Sequence, residues 1–205
     1  MVRRRAQDVT RYRSFASLKR AEGSCRACLD AGYPLESLPV IAPGAGQLAY
    51  LFGQAPGIVE GEERRPWRGR AGKTLRRWLE LDEDEFYATF YCASVTRCYP
   101  GRARSGRGDR TPAPEEQQLC ERWRDAELRL LQPKLIVTVG GLAARRLLGV
   151  KSVTESVGRR YDLDGAVAIP LPHPSGASSW LNIPANHERV AAAVRVIKDA
   201  LDTLE

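Results

Sequence analysis

The chain lacks any apolar run approaching the roughly 18 residues that a membrane-spanning helix needs, so a membrane protein is not expected. Its first residues lack the apolar h-region of a secretory signal, and a cytoplasmic protein is the expectation. It also lacks an even cysteine count: with five cysteines, a closed disulfide framework is disfavoured, and metal ligation or free thiols remain. No internal repeat is visible, and no low-complexity stretch beyond an Arg/Gly-rich loop over 101–112. With 205 residues and a prior of roughly 150 per domain, one domain with at most a small appendage is expected.

What is present is the composition of a folded chain, 43% hydrophobic and 28% charged, which excludes wholesale disorder. Lys and Arg number 32 against 25 Asp and Glu, a net charge of +7 that suits a polyanionic partner. Seven basic residues fall within 1–20 (Arg3, Arg4, Arg5, Arg11, Arg13, Lys19 and Arg20). Residues 1–22 read as a basic helix or arm, solvated or facing nucleic acid, with its helical spacing carried by Phe15, Leu18 and Ala21. Residues 23–205 read as the main domain.

Along that domain, strands are expected at Leu48–Phe52, Phe86–Val95, Leu135–Val139 and Ala166–Leu171, from apolar, aromatic and β-branched runs. Helical spacing runs from Ala71 to Leu81 through Leu75, Trp78 and Leu79. A second helix opens at Pro114 with Glu115 and Glu116 in its first turn and ends near Leu131. A short helix follows Gly140-Gly141, and a last one runs from near Asn186 to Leu204 with Val190, Val194, Ile197 and Leu201 on one face. Strands alternating with helices predict an α/β fold: three layers, α/β/α, around a central four-stranded parallel sheet. Ligands of such sheets bind beyond the carboxyl ends of the strands, which points to the loops after Phe52, Val95, Val139 and Leu171.

Two sets of residues in or near those loops carry chemistry. Cys25 and Cys28 form a C-x2-C, and Cys98 and Cys120 lie outside or just past regular elements. Four thiolates hold either zinc or a [4Fe–4S] cluster, and spacing alone does not separate these from unrelated thiols. Cys92 falls within a strand and reads as a core thiol. The other set is the Gly53-Gln54-Ala55-Pro56-Gly57 turn, the aromatic Trp67 among Arg65, Arg68 and Arg70, and His173 just after the last strand. Each has a plainer reading: a tight turn, a core tryptophan, a packed histidine.

Taken together the motifs resemble the uracil-DNA glycosylase superfamily, and most nearly its iron–sulfur branch, family 4. Gly53-Gln54-Ala55-Pro56-Gly57 with Glu60 is similar to that family's G-E-x-P-G-x-x-E. Pro66-Trp67-Arg68-Gly69-Arg70-Ala71-Gly72 is similar to P-F-x-G-x-A-G, and Ser94-Val95-Thr96-Arg97-Cys98-Tyr99-Pro100 to N-V-V-K-C-R-P. Pro114 to Cys120 resembles P-E-E-x-x-x-C, Pro133 to Gly140 resembles P-x-x-I-V-x-L-G, and Pro172-His173-Pro174-Ser175 resembles the H-P-S motif. The resemblance spans about residues 25–200.

It implies a DNA repair glycosylase that flips uracil, or a related deaminated base, into a pocket and hydrolyses its N-glycosidic bond. By position, Cys25, Cys28, Cys98 and Cys120 would hold a structural [4Fe–4S] cluster, zinc being the less favoured occupant, with Cys92 free. Trp67 would stack on the base. Gly53, Gln54, Ala55 and Gly57 would bring backbone N–H groups to its edge beside Ser94, and His173 would stabilise the departing base. Gln54 and Glu60 stand where the family's first motif carries its polar groups and are, with His173, the catalytic candidates; Glu60, the remaining carboxylate, would either position water or stabilise the loop. Arg68, Arg70, Ser175, Gly176 and Leu181 would contact DNA, with Leu181 or Trp180 as a wedge, while Arg102, Arg104, Arg107 and Arg110 either face phosphates or are merely solvated. The expected partner is DNA containing such a base, and the expected state a monomer.

Two departures matter. Gln54 replaces a Glu, and an amide is no general base; such a loss forgoes roughly 10²–10⁴ in rate. Ser94 replaces an Asn and cannot make a bidentate pair with a base edge. The alternative reading is therefore a catalytically weak iron–sulfur module that recognises damaged or single-stranded DNA. No Lys lies near the His motif to act as a Schiff-base nucleophile, so a monofunctional hydrolase is the first reading.

Overall fold

The computed structural model describes residues 11–34, 36–106, 108–175 and 179–204. Arg3, Arg4, Arg5, Arg107 and Gly176 lie outside the described residues. The first described α-helix is α1 (Phe15–Gly23), where Ser14 accepts the Ser17 N–H at 3.3 Å and Ser17 answers with its own side chain on the Ser14 N–H. A one-turn α2 (Ala27–Asp30) follows. Then come β1 (Ala49–Gly53), α3 (Ile58–Glu63), α4 (Arg70–Leu79), α5 (Glu83–Thr89) and β2 (Phe90–Ser94). The second half runs α6 (Pro114–Leu131), β3 (Leu135–Val139), α7 (Gly141–Leu148), α8 (Val153–Ser156), β4 (Tyr161–Leu163) and β5 (Ala166–Leu171). A 3-10 turn at Ser179–Asn182 and α9 (Pro184–Asp202) complete it.

The described residues form one sheet in the order β2-β1-β3-β5-β4. Its first four members are parallel, with Ala49 beside both Phe90 and Leu135, and Leu135 beside Val167. Alternation along β1 explains the two buried faces. Ala49 and Leu51 point with Leu75, Leu79, Phe86, Val137, Ile169 and Ile197 into one core under α4, α5 and α9. Tyr50 and Phe52 point with Tyr91, Ile136, Ala143 and Ala168 into the other, under α7. The three-layer α/β/α architecture is that expected.

Several details differ from expectation. The sheet has a fifth strand, β4, paired antiparallel to β5. Its cause is Asp164-Gly165, with φ of 52° and 84°, the left-handed pair that a tight two-residue hairpin needs. The segment Phe86–Val95 is not one strand. Asp82 accepts the Glu85 N–H at 2.9 Å while the Glu85 side chain accepts the Asp82 N–H at 2.8 Å, and this reciprocal cap starts α5. Phe86 and Tyr87 are thereby helical, and the strand begins only at Phe90. The last helix starts two residues early because Pro184 takes its first turn.

The basic first segment is anchored where it is described. Leu18 of α1 is fully buried against Cys120, Trp123 and Ala126, the latter three on α6. Glu22 of α1 is likewise fully buried, paired with Arg97. Among the described residues no helix is long and apolar enough to cross a membrane. Truncating Leu18→Ala should lower stability by about 2–5 kcal/mol. Urea unfolding should show this as a lower midpoint at unchanged slope; an α1 that merely rests on the surface would leave the midpoint in place.

Candidate functional site

The carboxyl ends of β1, β2, β3 and β5 lie at one edge of the sheet, and backbone bonds tie the loops that leave them. Gly53 pairs in register with Ser94, Val95 N–H donates to the Gly53 carbonyl at 2.9 Å, and Thr96 N–H to that of Gln54 at 3.2 Å. Gly140 N–H donates to the Leu171 carbonyl at 2.9 Å, which brings the start of α7 to the His173 loop. Trp67 lies on Gly53 so closely that a Cβ there would sit 2.8 Å from the indole Cζ2. His173 lies on Gly140, 3.4 Å from the corresponding point. The Trp67 and His173 rings are 6.4 Å apart with planes inclined by 33°. Residues from four separate segments (Gly53, Trp67, Ser94 and His173) thus meet at one edge of the sheet.

Trp67 is held there against a cost. Its φ of 60° is left-handed, a conformation that costs a non-glycine residue roughly 1–3 kcal/mol. Arg76 of α4 donates to the Trp67 carbonyl at 2.9 Å, and Tyr87 of α5 to that of Pro66 at 2.5 Å. Gly72 makes the approach possible: a Cβ on it would fall 1.8 Å from the Trp67 carbonyl oxygen. Arg76 and Tyr87 have no place in the sequence reading. Their only sequence signal is that a basic and an aromatic residue recur on the helices beside the motif.

Glu60 joins the two halves of the first motif. One carboxylate oxygen accepts the Gly57 N–H at 3.1 Å and the other the Gly69 N–H at 2.7 Å, so it caps α3 and α4 at once. Its observed work is structural. Gln54 and Ala55 are half-buried, and the Gln54 amide makes no hydrogen bond among the described residues. The Ser94 hydroxyl turns onto the Thr96 carbonyl at 2.7 Å.

His173 is set by Ser175. The Ser175 N–H points at Nδ1 from 3.2 Å and its hydroxyl lies 2.8 Å from the same atom. A ring nitrogen that accepts from a backbone N–H carries no proton, so the proton of the neutral ring is on Nε2. Burial lowers the pKa of His173 below the ordinary histidine value, and the nearby Glu60 charge only partly opposes this. Ser175, expected at the DNA, is seen as the residue that orients the histidine.

Several expected phosphate contacts are occupied internally. Arg68 pairs with Glu63 at 2.5 Å and with Glu83, and Arg110 pairs with both oxygens of Glu116 at 2.5 and 2.8 Å. Arg70, Arg102 and Arg104 are exposed. The Arg/Gly loop is a small hairpin, with Arg110 N–H on the Gly101 carbonyl at 2.9 Å and Ala103 N–H on that of Gly108 at 3.0 Å. Trp180 donates its indole N–H to Thr154 Oγ1 at 2.8 Å and serves as an anchor, whereas Leu181 is half-buried beside it. Ile183, absent from the sequence reading, is 54% exposed on the same segment.

The four cysteines of the spacing pattern lie on α1–α2, the β2 loop and α6. The Cys28 thiol bonds to Cys120, and Cys98 is within electrostatic reach of both Cys25 and Cys120. Arg122 donates to Cys25 Sγ at 3.3 Å. The Cys28 contact, helped by Arg97 and Arg122 against the effect of burial, lowers the Cys120 thiol below its ordinary range. All described cysteines are free thiols, and among the described residues no group of three or more His, Cys, Asp or Glu side chains is arranged to hold a metal ion. Cys92 is buried in β2 as a core thiol.

The α/β domain thus gathers a tryptophan, a histidine and glycine-rich turns at the strand ends, the place where such sheets bind their ligands. The family model of the uracil DNA glycosylase superfamily matches residues 47–198, and the chain belongs to that superfamily. It is 33% identical over 128 residues to a type-4 uracil-DNA glycosylase of Thermotoga maritima, covering 61% of this chain and 63%, just under two thirds, of that protein. Over 177 residues it is 25% identical to the type-4 uracil-DNA glycosylase of Sulfurisphaera tokodaii, covering 80% of this chain and 76% of the relative. The protein of the same name from Archaeoglobus fulgidus is 26% identical over 164 residues, 74% of this chain and 77% of the relative.

Two outcomes are expected from this geometry. Gly72→Ala should displace the Trp67 loop, because the added carbon meets backbone; a shifted tryptophan emission with a lowered melting temperature would report it. For His173, the unfolded state takes up a proton that the folded state refuses, so stability should fall as pH is lowered from about 7 to 5. Urea midpoints across that range should decline less in His173→Phe than in the wild type.

Proposed function

We propose that this chain is a DNA repair glycosylase that draws uracil, or a related deaminated base, out of DNA and hydrolyses its N-glycosidic bond to leave an abasic site. The superfamily is one of hydrolases acting on that bond, and the observation that carries the reading here is the pairing of Trp67 with a neutral, Nε2-protonated His173 across 6.4 Å. Trp67 supplies the π face on which a flipped base stacks. The Nε2–H of His173 donates to the base oxygen on which negative charge grows as the bond breaks, a stabilisation larger in the transition state than in the ground state. Neutrality is an advantage, since Ser175 fixes the donor without a proton having to be taken up. The backbone beyond Gly53, with Gln54, Ala55 and Gly57, borders the base edge beside Ser94. Arg70 and the exposed Arg102 and Arg104 face the phosphates; Leu181 fills the gap in the stack. The protein acts as a monomer on DNA.

Cys25, Cys28, Cys98 and Cys120 suit a [4Fe–4S] cluster: four thiols from three segments, two in direct contact and one with an acidity favouring thiolate. Such a group would brace α1, α2, α6 and the loop after β2, and no redox step is needed for hydrolysis. Visible charge-transfer absorption in the purified protein, lost on Cys98→Ser, is the expected signature; a colourless protein holding stoichiometric zinc would contradict it.

One observation favours the second reading, a DNA-binding module of weak activity. Both oxygens of Glu60 are engaged by backbone N–H groups, and Gln54 brings no carboxylate, so the first motif offers no unengaged base. The experiment is base release from oligonucleotides containing uracil, hypoxanthine, xanthine or thymine, followed by alkaline cleavage. Uracil release is expected, with His173→Ala slower by about 10²–10³-fold at unchanged DNA affinity. Ser94→Asn should sharpen preference for uracil. Tight binding with no release of any base would establish the second reading in place of the first.

A further inference from the structure

Arg97 stands between the cysteine-bearing helices and the wall of the site. It is 2% exposed, and its guanidinium meets acceptors from three parts of the chain. Nε–H donates to Glu22 of α1 at 2.6 Å, Nη2 to Glu127 of α6 at 2.5 Å, and Nη1 to the carbonyl of Ser94. Glu127 is further fixed by the hydroxyls of Tyr50 at 2.5 Å and Tyr91 at 3.2 Å. The Arg97 backbone N–H bonds to the Cys120 sulfur, and its carbonyl accepts the Val40 N–H at 2.7 Å.

A buried cation between two buried carboxylates is a poor way to gain stability, since apolar side chains of similar volume do as well. Its distinctive property is direction: a planar fork fixes three partners at set angles. One of those partners is the Ser94 main chain. β2 is the outer strand of the sheet, and among the described residues β1 is its one strand neighbour. Past Ser94, backbone bonds tie the segment to the end of β1 and the turn that follows it through Val95 on Gly53 and Thr96 on Gln54. A displacement of the Ser94 carbonyl therefore moves the very residues that border the base edge.

We propose that Arg97 is a positioning residue for base selection: by holding the Ser94 carbonyl from the α1–α6 side, it sets the gap between the end of β2 and the Gly53–Gln54 turn. This rests on the reading of that gap as the base-edge wall. The network transmits the packing of α1 and α6, through Glu22 and Glu127, to the selectivity of a pocket that neither helix lines.

The test uses the full-length protein with its native metal content. Single-turnover release is measured over the base panel, together with amide hydrogen exchange, for Arg97→Gln and Arg97→Lys. In Arg97→Gln, uracil release should fall about 10–100-fold at unchanged oligonucleotide affinity, and the ratio between uracil and the other bases should shrink. Exchange should quicken at Val95 and Thr96 while β3 and β5 stay protected. Arg97→Lys keeps a buried cation between Glu22 and Glu127 without the planar fork, so it should leave the sheet protected while the rate stays low and the ratio between bases stays shrunken. Wild-type base ranking and wild-type protection in Arg97→Gln would overturn the inference. So would loss of protection throughout the sheet that Arg97→Lys does not repair, since Arg97 would then be general support. If the wild type releases no base, the glycosylase reading fails, and exchange still decides: faster exchange confined to Val95 and Thr96 upholds the positioning role, and none refutes it.

Discussion

The site depends on two places where a side chain cannot exist. At Gly53 the indole of Trp67 occupies the volume of a Cβ, and at Gly72 the Trp67 carbonyl does the same from the other direction. Between them the tryptophan is confined to a single pose, in a left-handed backbone conformation that its sequence alone would avoid. Arg76 and Tyr87 secure the carbonyls on either side of that residue, and Glu60 fastens the same loop to the turn after β1. Packing, capping and one ion-pair network around Glu83 all converge on holding one aromatic plane at the end of the sheet.

Charge follows a similar inward logic. A chain with an excess of arginine invites the assumption that its cations face a polyanion, yet many are consumed within the fold. Arg68 and Arg76 share Glu83, Arg110 grips Glu116, and Arg97 is sealed between Glu22 and Glu127. Exposed pairs such as Arg68–Glu63 contribute little stability each, and a buried pair such as Arg97–Glu127 largely spends its attraction on desolvation. Their value here is geometric, since each ties a loop of the site to a helix. Of the described arginines expected at phosphates, Arg70, Arg102 and Arg104 are the ones left exposed.

Much of the architecture was legible because the signals were local. The apolar runs of β1, β3 and β5 and the Pro-Glu-Glu opening of α6 each carry their own instruction, and the structure places them where the pattern does. The hairpin of β4 escaped because Tyr161–Leu163 is too short to show a pattern, although Asp164-Gly165 was the signal to heed. Phe86 and Tyr87 misled because their strand propensity was overruled by the cap at Asp82. In the site, Trp67, His173 and the glycine turns could be picked out by residue type and by family resemblance. The parts played by Arg76, Ser175 and Arg97 could not, because each is a contact across long stretches of chain or to a backbone atom, which residue identity does not encode. Glu60 shows the converse: residue type leaves a water-positioning and a loop-stabilising role open, and its two backbone partners make the clamp visible only in the structure.

The hairpin over 101–110 is closed at its base by the bond from Arg110 to Gly101 and by the grip of Arg110 on Glu116. Its neck is therefore fixed independently of whatever the tip contains. Lengthening such a tip adds only a slowly growing entropic cost, with no strain passed to the sheet. The charge carried on this one protrusion can thus drift through insertion and deletion while the arrangement of Trp67 and His173 at the strand ends stays untouched, a modular separation of rim from centre.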